Sequence, residues 1–323
     1  MRTRWTRIGL AAAGLAIGLA LLALSLRGTP PGAIIAVLAA GDWRWPAATA
    51  LAGTCAFVAA KVIRWHRLLG APADLGVGAL LKPVVAGLAL NSMLPHSGEL
   101  LRTVALERLH DRPAARVLTS IFVERLFDLF AVLLLGALAF VLAPTRQTQF
   151  ATAFRVIGVV ATVGATAVLC ALLAPVAVMR FALAAPLPPR LHGRVAVLTA
   201  QLLDGMQPLG RLATALPILG WSLAQWLSIA LCVYGCAEVA GVSVSLPAAL
   251  LVVVGLVVAF LLPNAPGYVG ATQAAFWAAL APIGVSVERA LAASVAYQLL
   301  MILPLAVVGL GWARGTVRRV NVP

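Results

Sequence analysis

Apolar runs of about 20 residues recur along this chain of 323 residues, and they constrain its fold more than any other feature. A helix of that length crosses roughly 30 Å of hydrocarbon, so each such run predicts a membrane-spanning helix. Six uninterrupted runs qualify. They cover residues 8–26, 46–63, 121–142, 156–179, 217–237 and 290–312.

Composition excludes the ordinary soluble classes of protein. Hydrophobic residues make up 62% of the chain and charged residues only 11%, and the mean hydropathy is +1.02. The net charge of +14 would suggest nucleic acid in a soluble protein. Here the basic residues form short clusters between the apolar runs, so we predict an integral membrane protein with no nucleic-acid partner.

Two further apolar runs end at breaks that are rich in proline and glycine. Proline removes a helical hydrogen bond and clashes with the preceding turn, so a helix stops or bends there. Each run therefore forms either a complete span or the first half of a hairpin that re-enters the membrane. The runs are 75–94 and 246–262, the breaks are 94–98 and 262–267, and the helices that follow are 99–110 and 271–281.

The distribution of the 24 basic residues distinguishes these alternatives. If all eight runs span the membrane, 12 basic residues lie inside and 11 outside, which is no bias. If the two broken runs are re-entrant, 18 lie inside and 5 outside, with Arg125 inside a span. The positive-inside rule favours six spans, two re-entrant hairpins and cytoplasmic termini.

The predicted fold is therefore an all-α polytopic membrane protein that forms a single membrane domain, 1–323. Each half contains an odd number of spans, so the half-repeats 8–142 and 156–312 are inverted, as in many secondary transporters. The prolines of the two breaks, Pro95 and Pro263, are 168 residues apart. The segment 181–215 is either a cytoplasmic amphipathic helix or a basic connecting loop.

The densest group of polar residues surrounds the first break and the run after it. It comprises Asn91, Pro95, Gly98, Glu99, Arg102, Glu124, Arg125 and Asp128. In a functional interpretation, Arg102 and Arg125 hold an anionic group such as a lipid phosphate, and the three carboxylates orient the guanidiniums or bind a coupling proton. In a structural interpretation, the same charges form an ion-pair network that locks the hairpin to the neighbouring span.

The breaks themselves are candidate binding elements. Free N–H groups at the start of the Glu99 helix can receive an anion, unless Glu99 caps that helix itself. The second break offers the same geometry with neutral polar partners. Its candidate residues are Pro263, Asn264, Gly267, Gly270, Gln273 and Gln298.

The remaining aromatic and histidine residues do not indicate a catalytic site. Six tryptophans near predicted span ends are typical of the interfacial belt. We expect neither a metal site nor a cofactor. The six tryptophans are Trp5, Trp43, Trp45, Trp65, Trp221 and Trp312.

The motif N-x-x-L-P-x-x-G-E-x-x-R from Asn91 to Arg102 and the motif E-R-x-x-D from Glu124 to Asp128 resemble a known family. Together with the Pro-Gly turn after Pro263, they are similar to the transmembrane region of lysylphosphatidylglycerol synthases and to related stand-alone flippase-like membrane proteins. The resemblance covers almost the whole chain. It implies a unit that moves lipids, with the two hairpins at its centre.

The chain departs from that family pattern in two respects. Gln273 and Gln298 stand where the family usually has Glu and Arg, so a salt bridge would be replaced by a hydrogen-bonded pair. The aminoacyl-transferring domain of the synthases is not expected here, so we predict no enzymatic activity.

The function predicted from sequence is the movement of an anionic or isoprenoid-linked lipid between the leaflets of the cell (inner) membrane. The expected partners are membrane lipids and enzymes of envelope-lipid biosynthesis. Two alternatives stay open: a secondary transporter of a small anion, and a scaffold for lipid enzymes that transports nothing.

Overall fold

The computed structural model of the chain describes residues 15–94, 97–142, 212–261 and 265–320, and the isolated positions 163, 177, 180, 184 and 193. Within these ranges every regular element is helical. The helices are α1 (Leu15–Ser25), α2 (Pro31–Ala40), α3 (Arg44–Leu68), α4 (Val77–Met93), α5 (Ser97–His110), α6 (Ala114–Leu142), α7 (Leu212–Val239), α8 (Leu246–Leu261), α9 (Ala271–Leu280), α10 (Val287–Tyr297) and α11 (Leu303–Val320).

Four of the predicted spans are confirmed as apolar helices of membrane-crossing length. They are Arg44–Leu68, Ala114–Leu142, Ala213–Val239 and Val287–Thr316. The first predicted span is described only from Leu15, as α1. The predicted span 156–179 and most of the segment 181–215 lie outside the described residues, apart from isolated positions. The described chain is therefore all-α, with at least four helices long enough to cross a membrane.

Both broken runs fold as helical hairpins. Helix α4 packs against α5, and α8 packs against α9. In the first hairpin the two backbones touch, because a Cβ on Gly98 would overlap the carbonyl of Gly87. The Gly98 N–H donates to Asn91 Oδ1 at 2.8 Å, which closes the turn. Glycine and asparagine at these positions allow the chain to reverse where it does.

The two halves of the chain pack against each other in reciprocal pairs. The most extensive helix contact joins α3 to α7, where a Cβ on Gly53 would lie 2.6 Å from the Cys232 nitrogen. Helix α11 packs on α4, and α6 packs on α8, so each hairpin contacts the long helix of the other half. Two halves related by a two-fold axis would show this pairing. The half-repeats 8–142 and 156–312 extend outside the described residues, so they stay a prediction.

Helix α2 was not predicted, because a search for runs of 20 residues passes over a ten-residue helix. Pro31 occupies its first turn, where the missing N–H costs nothing. Ile34 is buried, and the helix packs on α10. Helix α2 thus packs on the second half of the molecule, and with ten residues it is too short to cross a membrane.

The last predicted span contains a π-helical turn, Gln298–Ile302, between α10 and α11. Pro304 has no N–H to donate to the Leu300 carbonyl. The Leu303 N–H instead bonds to the Gln298 carbonyl, and the Thr54 hydroxyl donates to the Leu300 carbonyl at 3.4 Å. The turn places Gln298 beside the second hairpin.

Candidate functional site

Helices α3, α5 and α6 bring five charged side chains together in the interior of the protein. Their exposed fractions are 4% for Lys61, 0% for Arg64, 3% for Arg102, 0% for Glu124 and 6% for Asp128. These five residues are called the buried cluster below. Charged groups are costly to bury unless they are paired, and each basic member of the cluster contacts Glu124 or Asp128.

Glu124 is the centre of the buried cluster. Its Oε1 accepts a hydrogen bond from Lys61 Nζ and lies 3.2 Å from Arg64 Nη2. Its Oε2 accepts from Arg102 Nη2 at 2.6 Å. One carboxylate therefore contacts three basic side chains that are almost fully buried.

Asp128 ties the buried cluster to α7. Its Oδ1 accepts from Arg64 Nη1 at 2.6 Å and from Gln225 Nε2 and Trp226 Nε1 at 3.1 Å each. Arg64 Nη1 also donates to Ser222 Oγ at 2.8 Å. Helix α7 thus supplies neutral polar partners and no further charge.

Trp65 is part of this interior, so its assignment to the interfacial belt was wrong. The side chain is 0% exposed, and its indole N–H donates to Ser120 Oγ at 3.1 Å. The Arg102 guanidinium carbon lies 3.8 Å from the centroid of the indole ring. The hydrogen bond pairs the buried indole N–H, and the cation–π contact stabilises the buried Arg102 guanidinium. A tryptophan of the interfacial belt would be partly exposed instead.

Arg125 and Glu99 form an ion pair at the edge of the buried cluster, called the rim pair below. The Arg125 side chain is 50% exposed and the Glu99 side chain 14%. Arg125 Nη1 lies 3.9 Å from Asp128 Oδ2, and Asn91 Nδ2 donates to Glu99 Oε1 at 3.4 Å. Of the two predicted headgroup ligands, the structure places Arg125 at the surface and Arg102 in the interior.

The second hairpin is held by a chain of neutral hydrogen bonds. The Gly270 N–H donates to Gln273 Oε1 at 2.8 Å, and Gln273 Nε2 donates to Gln298 Oε1 at 2.8 Å. Gln298 Nε2 donates to the Gly267 carbonyl at 3.2 Å. The glutamines therefore form the hydrogen-bonded pair predicted from sequence. Pro95, Pro263 and Asn264 lie outside the described residues.

The turn of the second hairpin lies close to the rim pair. The turn Pro266–Tyr268 of the second hairpin packs against α4 of the first. Tyr268 has a φ of 57°, stacks on Phe260 at 4.0 Å between ring centroids, and is close enough to Arg125 and Glu99 to interact with both charges. Residues with such backbone strain cluster at functional sites. The rim pair is therefore at a junction of both halves.

We expect Gln273→Ala to lower the free energy of unfolding by about 1–3 kcal/mol, because it leaves the buried Gly270 N–H without its acceptor. Denaturant unfolding in detergent micelles measures this loss. The Gln273→Ala/Gln298→Ala double variant should lose less than the sum of the single variants, since both side chains belong to one hydrogen-bonded chain. Additive losses would contradict that chain.

Sequence reasoning missed two members of the buried cluster. Lys61 and Arg64 were counted as cytoplasmic basic residues, together with Arg102, but all three are buried. Their spacing with Trp65 at i, i+3 and i+4 places them on one helical face, which was the available signal. Without these three, 15 basic residues remain inside against 5 outside, so the predicted orientation keeps its bias.

A family model described as the lysylphosphatidylglycerol synthase TM region matches residues 11–309. No curated protein and no solved structure showed a significant match to the chain. The matched range includes the buried cluster, the rim pair and both hairpins.

Proposed function

Because this chain belongs to the family of the lysylphosphatidylglycerol synthase transmembrane region, we propose that it moves a lipid with an anionic headgroup between the leaflets of the inner membrane. The family match and the helices of membrane-crossing length make the chain an integral membrane protein. The observation that carries the proposal is the rim pair, a half-exposed Arg–Glu contact beside a closed cluster of buried charges.

Arg125 is the residue that binds the headgroup. Its guanidinium has a planar fork that matches phosphate, and exchange of Glu99 for a phosphate keeps the guanidinium paired throughout. Arg102 lacks this freedom, because it is buried between Glu124 and the Trp65 ring. Arg102 therefore orients the cluster, and Arg125 contacts the lipid.

The position of the rim pair suits lipid passage. It lies where the break of the second hairpin contacts the first, and irregular backbone at membrane depth is tolerated where it lines a polar cavity. In our proposal the hairpins are re-entrant within six spans, both termini are cytoplasmic, and separation of the hairpins opens the polar path. The protein moves the lipid without chemical change and needs no cofactor.

The phosphate that Arg125 binds defines the class of lipid that the protein moves. Phosphatidylglycerol and an isoprenoid phosphate both present a phosphate at the membrane boundary, and the family is named for a synthase of a phosphatidylglycerol derivative. The acyl or isoprenoid chains would stay in the bilayer while the headgroup crosses. Enzymes of envelope-lipid biosynthesis would supply or consume such a lipid.

The proposal is tested in vesicles of phosphatidylcholine that contain a fluorescent phosphatidylglycerol, with a membrane-impermeant quencher added outside. Lipid that moves from the inner to the outer leaflet becomes accessible to the quencher. We expect Arg125→Gln to slow this process about 10-fold or more, since a hydrogen bond to a charged group contributes about 1.5–3 kcal/mol. Arg125→Lys should retain part of the activity, because it keeps the charge and loses the fork.

Arg108→Gln is the matched control, because Arg108 is exposed on the helix that carries Glu99. Its rate should equal that of the unmodified protein. Undiminished lipid movement in Arg125→Gln would overturn the role of Arg125. Release of an entrapped small anion without lipid movement would replace the proposal with a small-anion transporter.

A further inference from the structure

Lys61 is a buried ionisable group that the proposed lipid movement does not use. The chain has 24 basic residues, of which only Lys61 and Lys82 are lysines. Arginine stays protonated in proteins, whereas a buried lysine can exist as a neutral amine. Among the cations of the buried cluster, Lys61 is therefore the one with a variable proton.

The other members of the buried cluster balance one another. The charged groups that face Lys61 are Arg64 on its own helix, Arg102 on α5, and Glu124 and Asp128 on α6. Two guanidiniums and two carboxylates sum to zero, and the partners from α7 are neutral. The net charge of the cluster is thus zero with Lys61 as an amine and +1 with Lys61 as an ammonium.

An uncompensated charge inside a protein is costly, and Lys61 is only 4% exposed. An anionic headgroup at Arg125 would supply the missing negative charge, since Arg125 lies 3.9 Å from Asp128 of the cluster. Lys61 can donate to Glu124 in either protonation state, so the cluster stays closed in both. A proton is also a ligand that requires no cavity.

We infer that Lys61 is a proton-binding site whose occupancy follows that of the headgroup site. When an anionic headgroup binds at Arg125, the amine takes one proton from water, R–NH2 + H+ giving R–NH3+, and the proton leaves when the headgroup leaves. The inference rests on the proposed function. It implies that an anionic lipid crosses together with a proton, so that the occupied site remains electrically balanced.

The two-lysine composition allows a direct experiment. In protein carrying Lys82→Arg and labelled with 13C and 15N at lysine, the side-chain resonances of Lys61 are the only lysine signals. In neutral detergent micelles at a fixed pH, adding phosphatidylglycerol should move these signals to the position of a protonated lysine. Phosphatidylcholine should leave them unchanged. In the matched Lys61→Arg protein, the resonances of the exposed Lys82 should change with neither lipid.

Binding of a fluorescent phosphatidylglycerol is measured on the same samples by anisotropy. Bound lipid with no change at Lys61 overturns this inference alone and leaves the proposed function intact. Absence of bound lipid overturns both. Lys61 resonances that lie at the position of a protonated lysine before lipid is added also overturn the inference.

A second variant separates proton binding from folding. Lys61→Arg keeps a permanent charge, so its lipid movement should no longer respond to a pH difference across the vesicle membrane, whereas that of Lys82→Arg should respond as in the unmodified protein. An unchanged pH response in folded Lys61→Arg would contradict the inference. If Lys61→Arg does not fold, the resonances in Lys82→Arg decide alone.

Discussion

Replacement of Glu124 by alanine is expected to lower the free energy of unfolding by about 3–5 kcal/mol, the cost of breaking a buried ion pair from one side. Glu124 contacts three almost fully buried basic side chains, Lys61, Arg64 and Arg102, and the two arginines carry permanent charges. Its removal leaves Asp128 as the remaining anion of the buried cluster. Denaturant unfolding in micelles, followed by tryptophan fluorescence, measures the loss.

Glu107→Ala is the matched control, because Glu107 is an exposed carboxylate near the cluster in sequence. It should change stability by less than about 0.5 kcal/mol. The double variant Lys61→Met/Glu124→Ala should recover part of the loss, since it removes one of the buried basic groups that Glu124→Ala leaves without a partner. Equal stabilities of Glu124→Ala and Glu107→Ala would show that the cluster does not support the fold.

Replacement of Gly98 by alanine should lower the free energy of unfolding by at least about 1–3 kcal/mol, the usual penalty for overpacking, because the backbone of the hairpin must move. A Cβ at this position would overlap the Gly87 carbonyl and lie 2.8 Å from Asn91 Oδ1. The two helices of the first hairpin would have to separate, which also weakens the hydrogen bond from the Gly98 N–H to Asn91. The rim pair would lose its alignment, since Glu99 follows Gly98 directly.

Gly78→Ala provides the comparison for this variant. Gly78 lies in α4 of the same hairpin, and a Cβ there would meet nothing within 4 Å. The substitution should not reduce stability, because alanine favours helix over glycine. Thermal unfolding of both variants in the same detergent tests the contrast. A Gly98→Ala protein as stable as Gly78→Ala would contradict the close packing of the hairpin.

The candidate site was predicted in its composition but not in its organisation. Glu99, Arg102, Glu124, Arg125 and Asp128 were identified together, because charges in apolar runs are costly enough to stand out. Both Arg102 and Arg125 were predicted to hold the headgroup. Both guanidiniums are equivalent in a motif, and only their exposed fractions, 50% for the Arg125 side chain and 4% for that of Arg102, separate them.

Lys61 and Arg64 show why the rest was missed. Near the end of an apolar run, a basic residue is equally compatible with a cytoplasmic loop and with the interior. Arg64 meets Asp128 across 64 positions of sequence, and Lys61 meets Glu124 across 63. Such pairs depend on the rotation and offset of packed helices, which a local pattern does not contain.

The sequence by itself determined that this is a helical membrane protein with two interrupted runs. Hydrocarbon demands about 20 apolar residues per crossing and proline cannot continue a helix, and both are local requirements. Only the tertiary structure decided that three basic side chains converge on Glu124, that Arg125 lies at the rim, and that the turn of the second hairpin packs against the first hairpin. Burial is a property of packed helices, so the roles of identical side chains diverge only after the helices have come together.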